Sequence, residues 1–163
     1  MAGRPNIKEE LLKGVEIGGR HYKAHLDGFN QLDHITGKAP SPRISFFYFT
    51  DDAELCALRY DNWKLVFMEQ RVTGQLGIWF EPFVPLRAPK LYNLRTDPYE
   101  QADITSNTYW DWYIDHLFLM TPSQDIVGQF LMTFQEFPPA QKAAAFNLDR
   151  VMEKLSYGAS GGA

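Results

Sequence analysis

Ile44-Ser45-Phe46-Phe47-Tyr48-Phe49-Thr50, then Asp51-Asp52, then residues 54–60, then Asp61-Asn62, then Trp63-Lys64-Leu65-Val66-Phe67-Met68-Glu69 is the stretch that decides the fold. Aromatic and aliphatic residues dominate its three long runs, and such side chains suit a pleated, half-buried surface. The runs are separated by Asp and Asn pairs, which favour turns because their side chains bond their own backbone. Connections this short join neighbours that run in opposite directions. In the third run Trp63, Leu65 and Phe67 share one face while Lys64, Val66 and Met68 share the other, because side chains alternate along a strand. The stretch therefore predicts an antiparallel meander.

Downstream, residues 76–80 read as a fourth strand. Pro82, Pro85 and Pro89 make the next segment an extended loop, since proline cannot donate to a ladder. Residues 91–94 read as a short extended piece, and Thr96-Asp97-Pro98 as a turn. The last third is helical. Ser106 or Asn107 caps a helix that runs to Met120, with Trp110, Tyr113, Ile114 and Leu117 on one face. Thr121-Pro122 restarts the chain as an N-cap and first-turn proline. Ile126, Val127, Phe130, Leu131 and Phe134 stripe that second helix, and Pro138-Pro139 ends it. A third helix spans 139–155, with Ala144, Leu148, Val151, Met152 and Leu155 facing inward.

Upstream, residues 7–13 form a short helix between Pro5-Asn6 and Gly14. Gly18-Gly19 joins extended pieces 15–17 and 21–26 into a hairpin. Asp27-Gly28 turns the chain, residues 29–36 make two helical turns that stop at Gly37, and residues 38–43 are a loop. Strands first and helices afterwards predict an α+β fold, with about four antiparallel strands carrying C-terminal helices on one face. Residues 1–43 read as a connecting segment, 44–157 as the domain and 158–163 as a flexible tail.

A chain of 163 residues is long enough for one real core. Hydrophobic residues make up 45% and charged residues 22%, a globular balance, and aromatics reach 15%. The net charge is −4 with no basic run, which argues against a nucleic-acid partner. A single cysteine, Cys56, excludes an internal disulfide and any multi-cysteine metal site. Its neighbours Leu55, Ala57 and Leu58 suggest a buried structural thiol. No stretch is long and apolar enough to span a membrane, so no membrane partner is expected. Residues 1–10 lack the apolar block of an export signal. The chain as written is therefore expected in the cytoplasm, or in the periplasm as part of an exported parent.

Three stretches carry a family resemblance. The first is Lys23-Ala24-His25-Leu26-Asp27-Gly28-Phe29-Asn30-Gln31-Leu32 with Thr36-Gly37. The second is Phe46-Phe47-Tyr48-Phe49, a turn, and Leu58-Arg59-Tyr60-Asp61-Asn62-Trp63-Lys64-Leu65. The third is Leu91-Tyr92-Asn93-Leu94-Arg95-Thr96-Asp97-Pro98-Tyr99-Glu100. In this order they resemble the C-terminal part of bacterial arylsulfatases of the sulfatase family, over residues 7–155.

The resemblance implies a parent with a larger α/β domain similar to alkaline phosphatase and a smaller C-terminal domain with an antiparallel sheet and a helix. That family hydrolyses sulfate esters with a formylglycine nucleophile, made from the first residue of a Cys- or Ser-x-Pro-x-Arg motif. It uses a divalent cation, usually calcium. The motif is absent here: Cys56 precedes Ala57-Leu58-Arg59-Tyr60, and Ser41-Pro42-Arg43 has the wrong spacing. The cation ligands belong to parts of the family's sequence that precede the first matching stretch. No catalytic, cofactor-binding or metal-binding residue is therefore expected in this chain. Asp27, Asn30 and His34, at the domain junction, are the candidates for a wall of the parent's cleft.

Asp51-Asp52 reads as a turn rather than a metal pair, because adjacent strand side chains diverge. His21, His25, His34 and His116 are scattered, without the grouped ligands zinc needs. The expected function is a sulfatase C-terminal domain that packs on a catalytic domain, in cis or trans, and shapes the substrate cleft, with self-association as a second partnership. The alternative is a stand-alone interaction module on the same fold. A third reading, an independent hydrolase, lacks a convergent acid, base and nucleophile.

Overall fold

Phe47, Leu58, Leu65 and Leu91 stand side by side across four strands, and three of them are fully or almost fully buried. That row is the centre of the core in the computed structural model, which describes residues 4–72 and 74–138. The strands are β3 (Ser45–Phe49), β4 (Leu55–Tyr60), β5 (Trp63–Gln70) and β6 (Phe83–Asn93), hydrogen-bonded in the order β3-β4-β5-β6, all antiparallel. The expected meander and α+β class are present. A separate two-stranded hairpin, β1 (Val15–Ile17) and β2 (Arg20–Tyr22), follows helix α1 (Ile7–Lys13). Its second strand is shorter than the 21–26 expected.

The fourth strand is not where the sequence pattern placed it. Residues 76–80 fall largely within a 3-10 helix, Gln75–Trp79. The fourth strand is instead the 11-residue β6, which absorbs both the proline loop and the short piece at 91–94. Prolines survive there because β6 is an edge strand, where a missing N–H is tolerated. The pairing also skips. Val66 pairs with Lys90 and Met68 with Pro85, so Phe67 alone stands opposite residues 86–89. The bulge lets a proline-rich segment stay in the ladder.

The helices depart from expectation in their joints. Helix α2 is only Leu32–Ile35, because the Asn30 side-chain oxygen accepts the Leu32 N–H at 3.1 Å and starts the turn late. An unforeseen turn of helix, α3 (Ala102–Thr105), follows the Asp97 turn. The expected 106–120 helix splits into α4 (Tyr109–Asp115) and a 3-10 turn, Leu117–Leu119, with Thr108 rather than Ser106 or Asn107 at the N-cap. Helix α5 (Met120–Glu136) then begins at Met120 without a restart at Thr121-Pro122. Pro122 costs nothing there, since first-turn N–H groups have no intrahelical partner. The expected third helix at 139–155 and the 158–163 tail lie outside the described residues.

Helices α4 and α5 lie on the face that carries Phe47 and Trp63. Phe130 of α5 stacks on Phe47 at 3.8 Å between ring centres, and Trp112 of α4 stacks on Trp63 at 6.0 Å. The opposite face holds Lys64, Lys90 and Tyr92. There the segment around α3 supplies carboxylates: Glu100 meets Lys64 at 2.6 Å, and Asp103 meets Lys90 at 2.6 Å. The chain thus crosses the β6 edge, so its helical elements serve both faces rather than one.

Candidate functional site

Residues 7–43 lie along one end of this body, and their contacts are specific. The Ala24 N–H reaches the Leu11 carbonyl at 3.0 Å, Lys23 pairs with Glu136 of α5 at 2.8 Å, and the His25 ring meets Phe137 at 5.8 Å. The Asp27-Gly28 turn then carries Phe29 towards the sheet. Arg43, in the loop that enters β3, lays its guanidinium against the Phe29 and Phe46 rings at 5.7 and 5.5 Å. Cation–π contacts of this kind fix a long side chain against an apolar wall.

Two grooves result. The larger, about 860 Å³, runs between the Phe29 turn and the outer end of β3 and β4, with Arg43, Phe46, Tyr48, Arg59 and Asp61 on its walls. Arg59 is held by donating its Nε–H to the Asp61 carbonyl at 3.0 Å. The smaller, about 260 Å³, is lined by Lys8, His25, Asp27, Phe29, Phe49 and Phe130. Asp27 sits in it, 3.1 Å from His25 Nδ1.

The three expected cleft-wall residues therefore separate. Asp27 lines a groove. Asn30 spends its side chain on starting α2, and His34 turns its Nδ1 to the Ala39 carbonyl at 3.4 Å. Arg43 and Arg59 stand in stretches that the sequence reading quotes without giving either a site role, and they line one groove only because β4 pairs with β3. Residues 76–80, expected as a strand, belong instead to an exposed connection. Consecutive Trp79-Phe80 flanked by glycine and prolines was the available signal for it.

Burial pushes the Cys56 thiol up, against a weaker opposing pull from Lys64, so it stays protonated and a poor nucleophile at neutral pH. His21 pairs with Glu16, and His116 bonds the Trp112 carbonyl at 2.7 Å while lying on the Trp112 ring. Asp51 and Asp52 are exposed in the β3–β4 turn. Burial pulls Lys90 down, but its bonds to Asp103 and Glu69 outweigh that and leave it raised. Burial, then the adjacent Asp103, pushes the Tyr92 phenol well up.

Fold and surface together define an α+β domain built on a four-stranded antiparallel meander and braced by aromatic helices. A sequence model described as the C-terminal region of aryl-sulfatase matches residues 41–152, more than half of the chain, and the chain belongs to that family. No curated protein matches it. Among the described residues, no three His, Cys, Asp or Glu side chains converge.

Proposed function

We propose that this domain packs against a sulfatase catalytic domain, in cis or trans, and that its grooved end forms one wall of the substrate cleft. The single observation behind the packing is the run at residues 76–83. Leu76 is 73%, Trp79 77% and Phe80 83% exposed, all in one short connection between β5 and β6. Large adjacent apolar side chains left in water mark an interaction site. Burying a ring of this size stabilises a complex by about 2–3 kcal/mol, so a few such residues suffice as an anchor. Hydrolysis belongs to the catalytic domain in this reading. The role of this chain is to exclude water from one side of the cleft and to orient the part of the ester away from sulfur.

The test mixes the full chain with a sulfatase catalytic domain that carries the Cys- or Ser-x-Pro-x-Arg motif but lacks its own C-terminal region. Sedimentation and aryl sulfate turnover are followed. Complex formation with raised turnover is expected, and no turnover by the full chain alone. A chain that stays a monodisperse monomer beside the catalytic domain would favour a stand-alone interaction module instead.

A further inference from the structure

We infer that the outer edge of β3 is a self-association surface: a second copy of this chain pairs its own β3 antiparallel to it, about a two-fold axis at Phe47. Two four-stranded sheets then join into one continuous sheet. The surface belongs to this chain alone, so it stands or falls without the catalytic domain.

The edge is open in its backbone. β3 has β4 on one side and no strand on the other among the described residues. The Asp61 N–H donates to the Ile44 carbonyl and the Thr50 N–H to the Glu54 carbonyl, both at 2.9 Å. Backbone groups alternate along an antiparallel strand, so positions 44, 46, 48 and 50 turn theirs to β4. Ser45, Phe47 and Phe49 turn theirs outward, and among the described residues no backbone bond from another segment reaches them. The Phe29 turn faces this edge across the groove of about 860 Å³ rather than pairing with it.

The usual guards are missing too. Natural sheet edges carry lysine, proline or a covering element. The opposite edge has two of these: β6 contains Pro85 and Pro89, and the Tyr109 hydroxyl bonds both the N–H and the carbonyl of Leu91. Ser45-Phe46-Phe47-Tyr48-Phe49 has no charge and no proline. Phe46 and Phe49 remain 41% and 42% exposed.

A fitting partner is a strand with free backbone groups at alternate positions, aromatic side chains, a cation at one end and an anion at the other. β3 with its flanks meets each requirement. Antiparallel pairing centred on Phe47 sets Ser45 opposite Phe49, and Phe47 opposite its counterpart, so every outward group meets an outward group. A slip of one residue would set outward groups against inward ones. Phe46 falls opposite Tyr48, an aromatic cross-strand pair. The same register brings Arg43 of each copy opposite Asp51 of the other, with Asp52 beside it. Neither Arg43 nor Asp51 has an ion-pair partner among the described residues. Two-fold symmetry makes this contact twice and closes the assembly at two copies. So short an edge gives a reversible dimer, with Kd of about 10–100 µM.

The test follows the full chain by sedimentation equilibrium from about 1 µM to about 1 mM, with amide hydrogen exchange at both ends of that range. The mass should rise to that of a dimer, and the Ser45, Phe47 and Phe49 amides should gain protection as it does. Arg43→Asp and Asp51→Arg should each weaken association about tenfold, since each sets like charges opposite one another twice. An equimolar mixture of the two variants should associate as wild type does, because every such contact in the mixed dimer pairs unlike charges. Phe46→Lys, which installs an edge guard, should abolish association. Thermal unfolding of each variant is the control for folding. Trp79→Ser with Phe80→Ser should leave association unchanged, which separates this surface from the exposed run between β5 and β6. A monomer at every concentration, assemblies larger than two copies, charge variants that associate as wild type, a mixture that fails to recover, or loss of association in the Trp79 and Phe80 variant overturns the assignment.

Discussion

The Tyr109 hydroxyl donates to the Leu91 carbonyl and accepts the Leu91 N–H, both at 3.1 Å, so one side chain closes the outer edge of the sheet at its most buried point. Two residues earlier the Tyr113 hydroxyl donates to the Pro89 carbonyl at 2.8 Å, where proline leaves only an acceptor to satisfy. An open strand edge is a template for unwanted pairing, and helix α4 covers it. Tyr109→Phe removes one oxygen and strands two buried backbone groups. It should cost about 2–4 kcal/mol. Urea unfolding should show a lower midpoint with an unchanged slope. A midpoint equal to wild type would mean that the Leu91 edge is satisfied by water.

Stability should fall at alkaline pH. Burial pushes Tyr92, Tyr109 and Tyr113 up, for Tyr109 against the pull of its Leu91 bond, and Lys90 is raised by Asp103 and Glu69 despite burial. The unfolded chain therefore loses these protons first, near pH 10 for tyrosine and about 10.4 for lysine. Their contribution is complete below about pH 10 and is lost as the pH climbs through the higher folded values. Thermal midpoints measured across this range should decline, and Tyr92→Phe should make the decline shallower. A flat profile above pH 10 would contradict the burial of these groups.

The stacking of Phe130 on Phe47 holds α5 to the sheet, and Phe130 also meets Phe49 and Phe134. Phe130→Ala should destabilise the domain by about 2–3 kcal/mol, less than a fully buried phenylalanine because the residue is only partly buried. Hydrogen exchange should rise first along α5. Uniform loss of protection across the sheet would place the ring deeper in the core.

Lys90 is shared between two carboxylates of unequal burial: the Asp103 side chain is 6% exposed and that of Glu69 34%. Asp103→Asn should therefore cost about 1–3 kcal/mol, and Glu69→Gln less than about 1. Equal losses in chemical denaturation would show that solvent screens both pairs alike.

Trp79→Ser with Phe80→Ser should leave folding within about 0.5 kcal/mol, since both side chains stand in water. The same pair of changes should weaken binding to a catalytic domain by tenfold or more. Unchanged affinity, measured by calorimetry, would move the docking surface elsewhere.

Much of the architecture is legible in residues 44–69, because the strands are dense in aromatic and aliphatic residues, Trp63–Glu69 alternates, and each turn carries Asp or Asn. The fourth strand was not. Pro85 and Pro89 argue against a strand by local rules, and only the edge position of β6 and its bulge make them acceptable. The start of α2 was not legible either: the Asn30 side-chain oxygen accepts the Leu32 N–H, a local bond that the helical pattern of residues 29–36 does not reveal. Arg43 and Arg59 are 16 positions apart in sequence, so no spacing rule could join them.

The sequence by itself determined the meander, the α+β class and the family resemblance, because alternation, turn chemistry and family motifs are local properties. It also determined that the family's nucleophile motif is not encoded between Met1 and Ala163. Only the tertiary structure decided which strand is the edge, which tyrosine closes it, and which arginines share a groove with Phe29 and Phe46. Those depend on register and on long-range packing, where residues far apart in the chain become neighbours.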